Sequence, residues 1–94
     1  MIVGTLRIEL ALYEARTLKD KRRVIKSLKD RLANRFNVSV AEVDALNSPR
    51  KAVLGLAMVA NEQRFVESCL DKVVDHVRHD PRASLTDYET EIWS

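Results

Sequence analysis

Cysteine is almost absent from this chain: Cys69 is the single one among 94 residues. An intrachain disulfide is therefore excluded, and so is a thiolate metal cluster. Glycine and proline occur twice each, so long irregular segments are not expected. So few glycines leave no glycine-rich phosphate loop and no dinucleotide-binding fingerprint, and no zinc ligand set or nucleophile elbow is present. Aromatic residues make up only 5%. No run approaches the roughly 18 apolar residues of a membrane-spanning helix. Met1-Ile2-Val3-Gly4 lacks the basic start and apolar core of a secretory signal. A cytoplasmic, reducing location is expected, with no membrane association and no cofactor.

What is present is an ordinary globular balance, 46% hydrophobic and 32% charged, enough for one domain and one core. The net charge of +2 conceals an asymmetry. Arg16 to Arg35 holds nine basic and two acidic residues, a local +7, and the remainder of the chain sums to −5. A concentrated positive segment points to an anionic partner if its charges share one face.

Hydrophobic periodicity assigns the elements. Ile2 to Leu12 alternates with period two, Gly4, Leu6, Ile8 and Leu10 on one face and Val3, Thr5, Arg7 and Glu9 on the other. Thr17 with Asp20 three positions on forms a capping-box pattern. Leu18, Val24, Ile25, Leu28 and Leu32 then recur at helical spacing to about Asn34–Asn37. Val38 to Ala45 reads as a second strand. Leu46-Asn47-Ser48-Pro49-Arg50 reads as a turn. Lys51 to Ala60 is nearly continuous in apolar residues, as a central strand is, with Gly55 marking a close approach or an irregularity. Asn61 is a candidate cap for a second helix with the stripe Phe65, Val66, Cys69, Leu70, Val73 and Val77. Pro81 ends it. Leu85 to Trp93 is a last strand. The order βαββαβ predicts an α+β, ferredoxin-like two-layer sandwich: a four-stranded antiparallel sheet with two helices on one face. The rival is another small α/β arrangement of the same elements.

On a helical wheel Lys19, Arg22, Arg23, Lys26 and Lys29 share an outward arc about 120° wide. Such a strip can meet successive phosphates of a nucleic-acid backbone. Lys21 falls toward the core side and is expected to snorkel past the sheet edge or contact the neighbouring loop. It is kept among the candidate anion-binding residues. Cations near a helix N-terminus oppose the macrodipole, and like charges three or four apart repel. Solubility alone would favour acids there. The competing reading is a solvated face, or pairing with acids of this chain or of a twin subunit.

The outer sheet face is predicted to lack stacking aromatics on its first and third strands, and Asp87, Glu89 and Glu91 would repel phosphate. Base stacking on the sheet is thereby rejected. Val53, Ala57 and Val59 instead form a candidate oligomer interface, a homodimer face. Trp93 is expected over the sheet edge or in a subunit contact. His76 and His79 are three apart, a spacing that can share a metal, but the end of a helix is also a natural place for histidine. Cys69 reads as a buried structural thiol. Glu42 and Asp44 fall on one strand face and would form a carboxylate pair only with a further partner. No catalytic or metal-ligating constellation is recognisable, so no enzyme is expected.

Met1-Ile2-Val3-Gly4, Thr17-Leu18-Lys19-Asp20-Lys21-Arg22-Arg23 and Phe36-Asn37-Val38-Ser39-Val40-Ala41-Glu42-Val43 together resemble the bacterial family called domain of unknown function 503, the YlxP-like proteins. Val53-Leu54-Gly55 and the Tyr88–Glu91 strand extend the resemblance to nearly the whole chain. Thr17 replaces the family's usual serine and keeps the hydroxyl. Tyr13-Glu14 stands where a proline is typical. The resemblance implies a ferredoxin-like fold and assigns no catalytic residues. Because such genes often neighbour translation genes, it implies a role with structured RNA or the ribosome.

Overall fold

The computed structural model describes residues 1–94. Its elements are β1 (Ile2–Ala11), α1 (Leu18–Arg35), β2 (Ser39–Asp44), β3 (Lys51–Ala60), α2 (Gln63–Arg78) and β4 (Ser84–Trp93). The four strands form one antiparallel sheet in the order β2-β3-β1-β4. This is the expected ferredoxin-like sandwich.

The alternation in β1 explains the layering. Leu6, Ile8 and Leu10 turn inward and meet Ala52, Leu54, Leu56 and Met58 of β3. Ile25, Leu28 and Leu32 of α1 and Val66, Leu70, Val73, Val74 and Val77 of α2 close the core from the same side. Each such side chain contributes about 1.5–3 kcal/mol by leaving water. Gly4 lets α2 approach β1 closely, because a methyl group there would run into Val66 Cγ1 and Leu70 Cδ1. Gly55 has a similar role on the other face, where its missing side chain leaves room for Val43.

Several expectations need correction. The residue at the N-cap of α2 is Glu62, not Asn61, and no side chain caps that helix. Phe65 leaves the apolar stripe and is exposed, and Val74 takes a place in the core instead. Val53 does not belong to an exposed interface: it is 0% exposed, though it faces away from the main core. Glu9 and Asp44 flank it in register on the neighbouring strands. Arg7 reaches both carboxylates, at 2.9 and 3.8 Å, and so closes over the valine. Ala57 and Val59 remain exposed.

Candidate nucleic-acid interface on the first helix

The start of α1 is fixed by local chemistry. Asp20 N–H donates to Thr17 Oγ1 at 3.1 Å, and Thr17 N–H donates back to Asp20 Oδ2 at 3.2 Å. Arg16 N–H donates to the same oxygen at 3.0 Å. This bond, with help from Thr17 and nearby Arg23, holds the Asp20 carboxyl below the usual carboxylate range. The reciprocal cap satisfies helix N–H groups and sets one negative charge against the macrodipole. It anchors a helix start otherwise crowded with cations.

Lys21 is not part of the exposed strip. Its side chain is 1% exposed, and Nζ donates to the carbonyls of Ala45 (2.9 Å), Lys51 (3.1 Å) and Leu46 (3.4 Å). Three carbonyls use the three N–H directions of the ammonium. Glu42 Oε2 lies 2.8 Å away, yet it accepts no aligned hydrogen bond. Its contact with Lys21 is ionic, a charge held against a charge in a poorly hydrated place. Lys21 therefore clamps α1 to the connection between β2 and β3, where Ala45 has a positive φ of 56°. The expectation of a loop contact holds, and its place among anion-binding residues does not.

The other five basic residues are arranged differently. Lys19, Arg22, Arg23 and Lys26 are exposed, and Lys29 is half-buried. Four of them have no ion pair within the chain, since only Lys26 has an acidic partner, Asp30 at 2.8 Å. That hydrogen bond raises the Lys26 pKa, but both groups lie in water, where solvent competes with the pair. Arg22, Lys26 and Lys29 line a shallow hollow of about 370 Å³ between α1 and the edge of β2. None of the five is tied to Glu42 or Asp44.

Arg31, which lies off the outward arc, is held by Asp80, a residue whose sequence position beside His76 and His79 gives no sign of this pairing. Asp80, just past α2, has a fully buried carboxylate that accepts from Arg31 Nη2 at 2.5 Å and from the Arg82 N–H at 2.8 Å. Burial pushes its pKa up. The bonds from Arg82 and Arg31 outweigh that and leave it below its ordinary value. Arg82 continues to Ser27 Oγ at 3.2 Å, joining the middle of α1 to the start of β4. In the sequence Asp80 is visible as the residue before a helix-ending proline and as an acid near His76 and His79, not as the partner of Arg31.

The remaining candidates do not converge. His79 Nδ1 is 2.6 Å from its own helix carbonyl at Asp75. His76 packs edge-on against Phe36, ring centroids 6.2 Å apart, and its Nε2 is buried without a partner. Burial first, and then Arg31 and Arg35, lower the His76 pKa. Cys69 is half-buried, and burial pushes its thiol up. Glu42 and Asp44 are not on one face. A bulge between them turns Glu42 toward Lys21 and Asp44 toward Arg7. No group of three His, Cys, Asp or Glu side chains is placed to hold a metal ion. No helix is long and apolar enough to cross a membrane.

The outer sheet face has its own character. Asp87, Glu89 and Glu91 are exposed along β4. Beside them lies a hollow of about 430 Å³ over Thr5, Arg7, Ala41, Val43, Gly55 and Ala57. Trp93 and Val59 flank Val3 in register at one corner, and both are exposed.

Fold and surface together define a ferredoxin-like α+β sandwich whose first helix is cationic. The chain belongs to the family described as "Protein of unknown function (DUF503)", which matches residues 3–90. It is 30% identical over 90 residues to the uncharacterized protein YlxP of Bacillus subtilis (strain 168), covering 96% of this chain and 98% of that one. A de novo designed protein with ferredoxin fold, solved by solution NMR, is similar with a TM-score of 0.55 at 12% identity. That similarity spans 100% of this chain and 87% of the designed one, and it is a likeness of fold alone.

Proposed function

We propose that this is a binding protein without catalytic activity that docks on the phosphate backbone of structured RNA through α1. The observation behind this reading is that Lys19, Arg22, Arg23 and Lys29 follow one rigid helix with no acidic partner in the chain. The N-terminal end of this row opposes the helix macrodipole, and its members three or four apart repel, so an external anion would relieve both. Backbone contacts of this kind position a protein without reading sequence. The acidic β4 face would repel the same ligand and so orients the domain. The association with translation that the family resemblance implies favours RNA over DNA. The test is anisotropy of a labelled RNA duplex of about 20 base pairs at low salt, with the wild type and the Arg22→Glu/Arg23→Glu variant. The wild type binds and the variant loses at least about tenfold. Equal binding by the two proteins, or none by either, refutes the reading.

A second reading has its own support. Exposed Trp93, Val59 and Ala57 with half-buried Val3 form an apolar corner of the sheet that suits a homodimer contact. Light scattering over a concentration series decides it: a Trp93-dependent dimer supports this reading, and a strict monomer at high concentration removes it.

A further inference from the structure

Two connections meet at one end of the molecule, beside the N-terminus of α1. Residues 12–17 join β1 to α1, and residues 45–50 join β2 to β3. They are bound to each other rather than loose. Leu12 N–H donates to the Arg50 carbonyl at 2.9 Å, and Arg50 Nε donates to the Ala15 carbonyl at 3.3 Å. The buried Lys21 ammonium holds the second connection from beneath, through Ala45, Leu46 and Lys51. The end is thus a preorganised platform, so a ligand there need not order it first.

On that platform stands Tyr13, 72% exposed, more than Phe65, Trp93 or Tyr88. The two connections and the adjoining element ends also carry Arg16, Lys19, Arg50 and Lys51, all exposed and none in an ion pair. Arg50 uses Nε on Ala15 and keeps its terminal nitrogens free. Of the neighbouring acids, Asp20 is occupied by the helix cap and Asp44, at the end of β2, faces Arg7, which leaves Glu14 as the one exposed opposing charge in the two connections. An open aromatic face among unpaired cations is the combination that single-stranded nucleic acid uses: the ring takes a base, and the cations take the phosphates on either side.

We infer that this end is a stacking site for an unpaired nucleotide, with Tyr13 against the base and Arg16, Arg50 and Lys51 on the flanking phosphates. The inference rests on the RNA reading of α1 and deepens it. Lys19 belongs to both surfaces, so one RNA would lie with its duplex along α1 and a single-stranded extension over Tyr13. The preferred substrate is then a duplex bordered by unpaired residues rather than a blunt helix. The site lies apart from the sheet face, where stacking aromatics are missing from the central strands.

The experiment compares two labelled probes by anisotropy: a blunt RNA duplex of about 20 base pairs, and the same duplex with a short single-stranded overhang. Wild type, Tyr13→Ala and Tyr13→Phe are each titrated. The overhang tightens wild-type binding by about fivefold to a hundredfold, the range that one base-on-aromatic stack supplies. Tyr13→Ala abolishes that gain and leaves blunt-duplex binding unchanged, and Tyr13→Phe retains it. Equal wild-type affinity for both probes overturns the stacking site and leaves the α1 reading standing, as does a gain that survives Tyr13→Ala. Binding to neither probe overturns both.

Discussion

Lys21 shows how one residue changes the account of a charged surface. By sequence alone it is one of six cations in eleven residues. In the structure it is a buried connector between a helix, three carbonyls and Glu42. Replacing it removes the partner of a mostly buried carboxylate and leaves carbonyls unsatisfied, a change that costs about 3–5 kcal/mol in comparable cases. Lys21→Met is therefore expected to unfold at much lower urea concentration than wild type. Lys19→Met, at an exposed position two residues away, stays within about 0.5 kcal/mol. Equal midpoints for the two variants would show that the clamp is unimportant. The burial of Lys21 was legible as a position on the core side of the wheel. Its partners were not, because Glu42 and the three carbonyls belong to segments 21 to 30 residues further along the chain.

At the scale of elements, the strands and helices were legible because each repeats a simple period, and the start of α1 because its capping box is local. The misplaced residues all depend on neighbours. A bulge in β2 puts Glu42 and Asp44 on opposite faces, although their spacing of two predicts one face. Val53 has the parity of an exposed residue and is covered by a long side chain, Arg7, reaching across strands. The two glycines separate two kinds of close approach. Gly4 lies under α2, where Val66 and Leu70 are fixed in the core. Gly55 lies under Val43, which is exposed and free to shift. Gly4→Ala is accordingly expected to destabilise by about 1–3 kcal/mol, the usual cost of overpacking, and Gly55→Ala by clearly less. Thermal unfolding of the two variants compares them directly, and the reverse order would contradict this packing.

Over the whole molecule, charge is divided between layers. The helix layer presents the row on α1, and the outer face of the sheet presents Asp87, Glu89 and Glu91. The charge count of the sequence located the basic row, and the wheel gave its outward arc. Neither could show which cations are already neutralised. The structure assigns Lys21 to Glu42, Arg31 to Asp80 and Lys26 to Asp30, and on the outward arc of α1 it leaves Lys19, Arg22, Arg23 and Lys29 unpaired. That remainder makes the central claim quantitative. Each phosphate neutralised releases counterions, so the logarithm of affinity falls linearly with the logarithm of salt, by about 0.9 for each contact on a duplex. Four contacts on α1 predict a slope near −3.6 for a blunt RNA duplex. The Arg22→Glu/Arg23→Glu variant should give a slope shallower by about 2. A slope near zero, or an unchanged slope in the variant, would contradict the claim that α1 is the phosphate-binding surface.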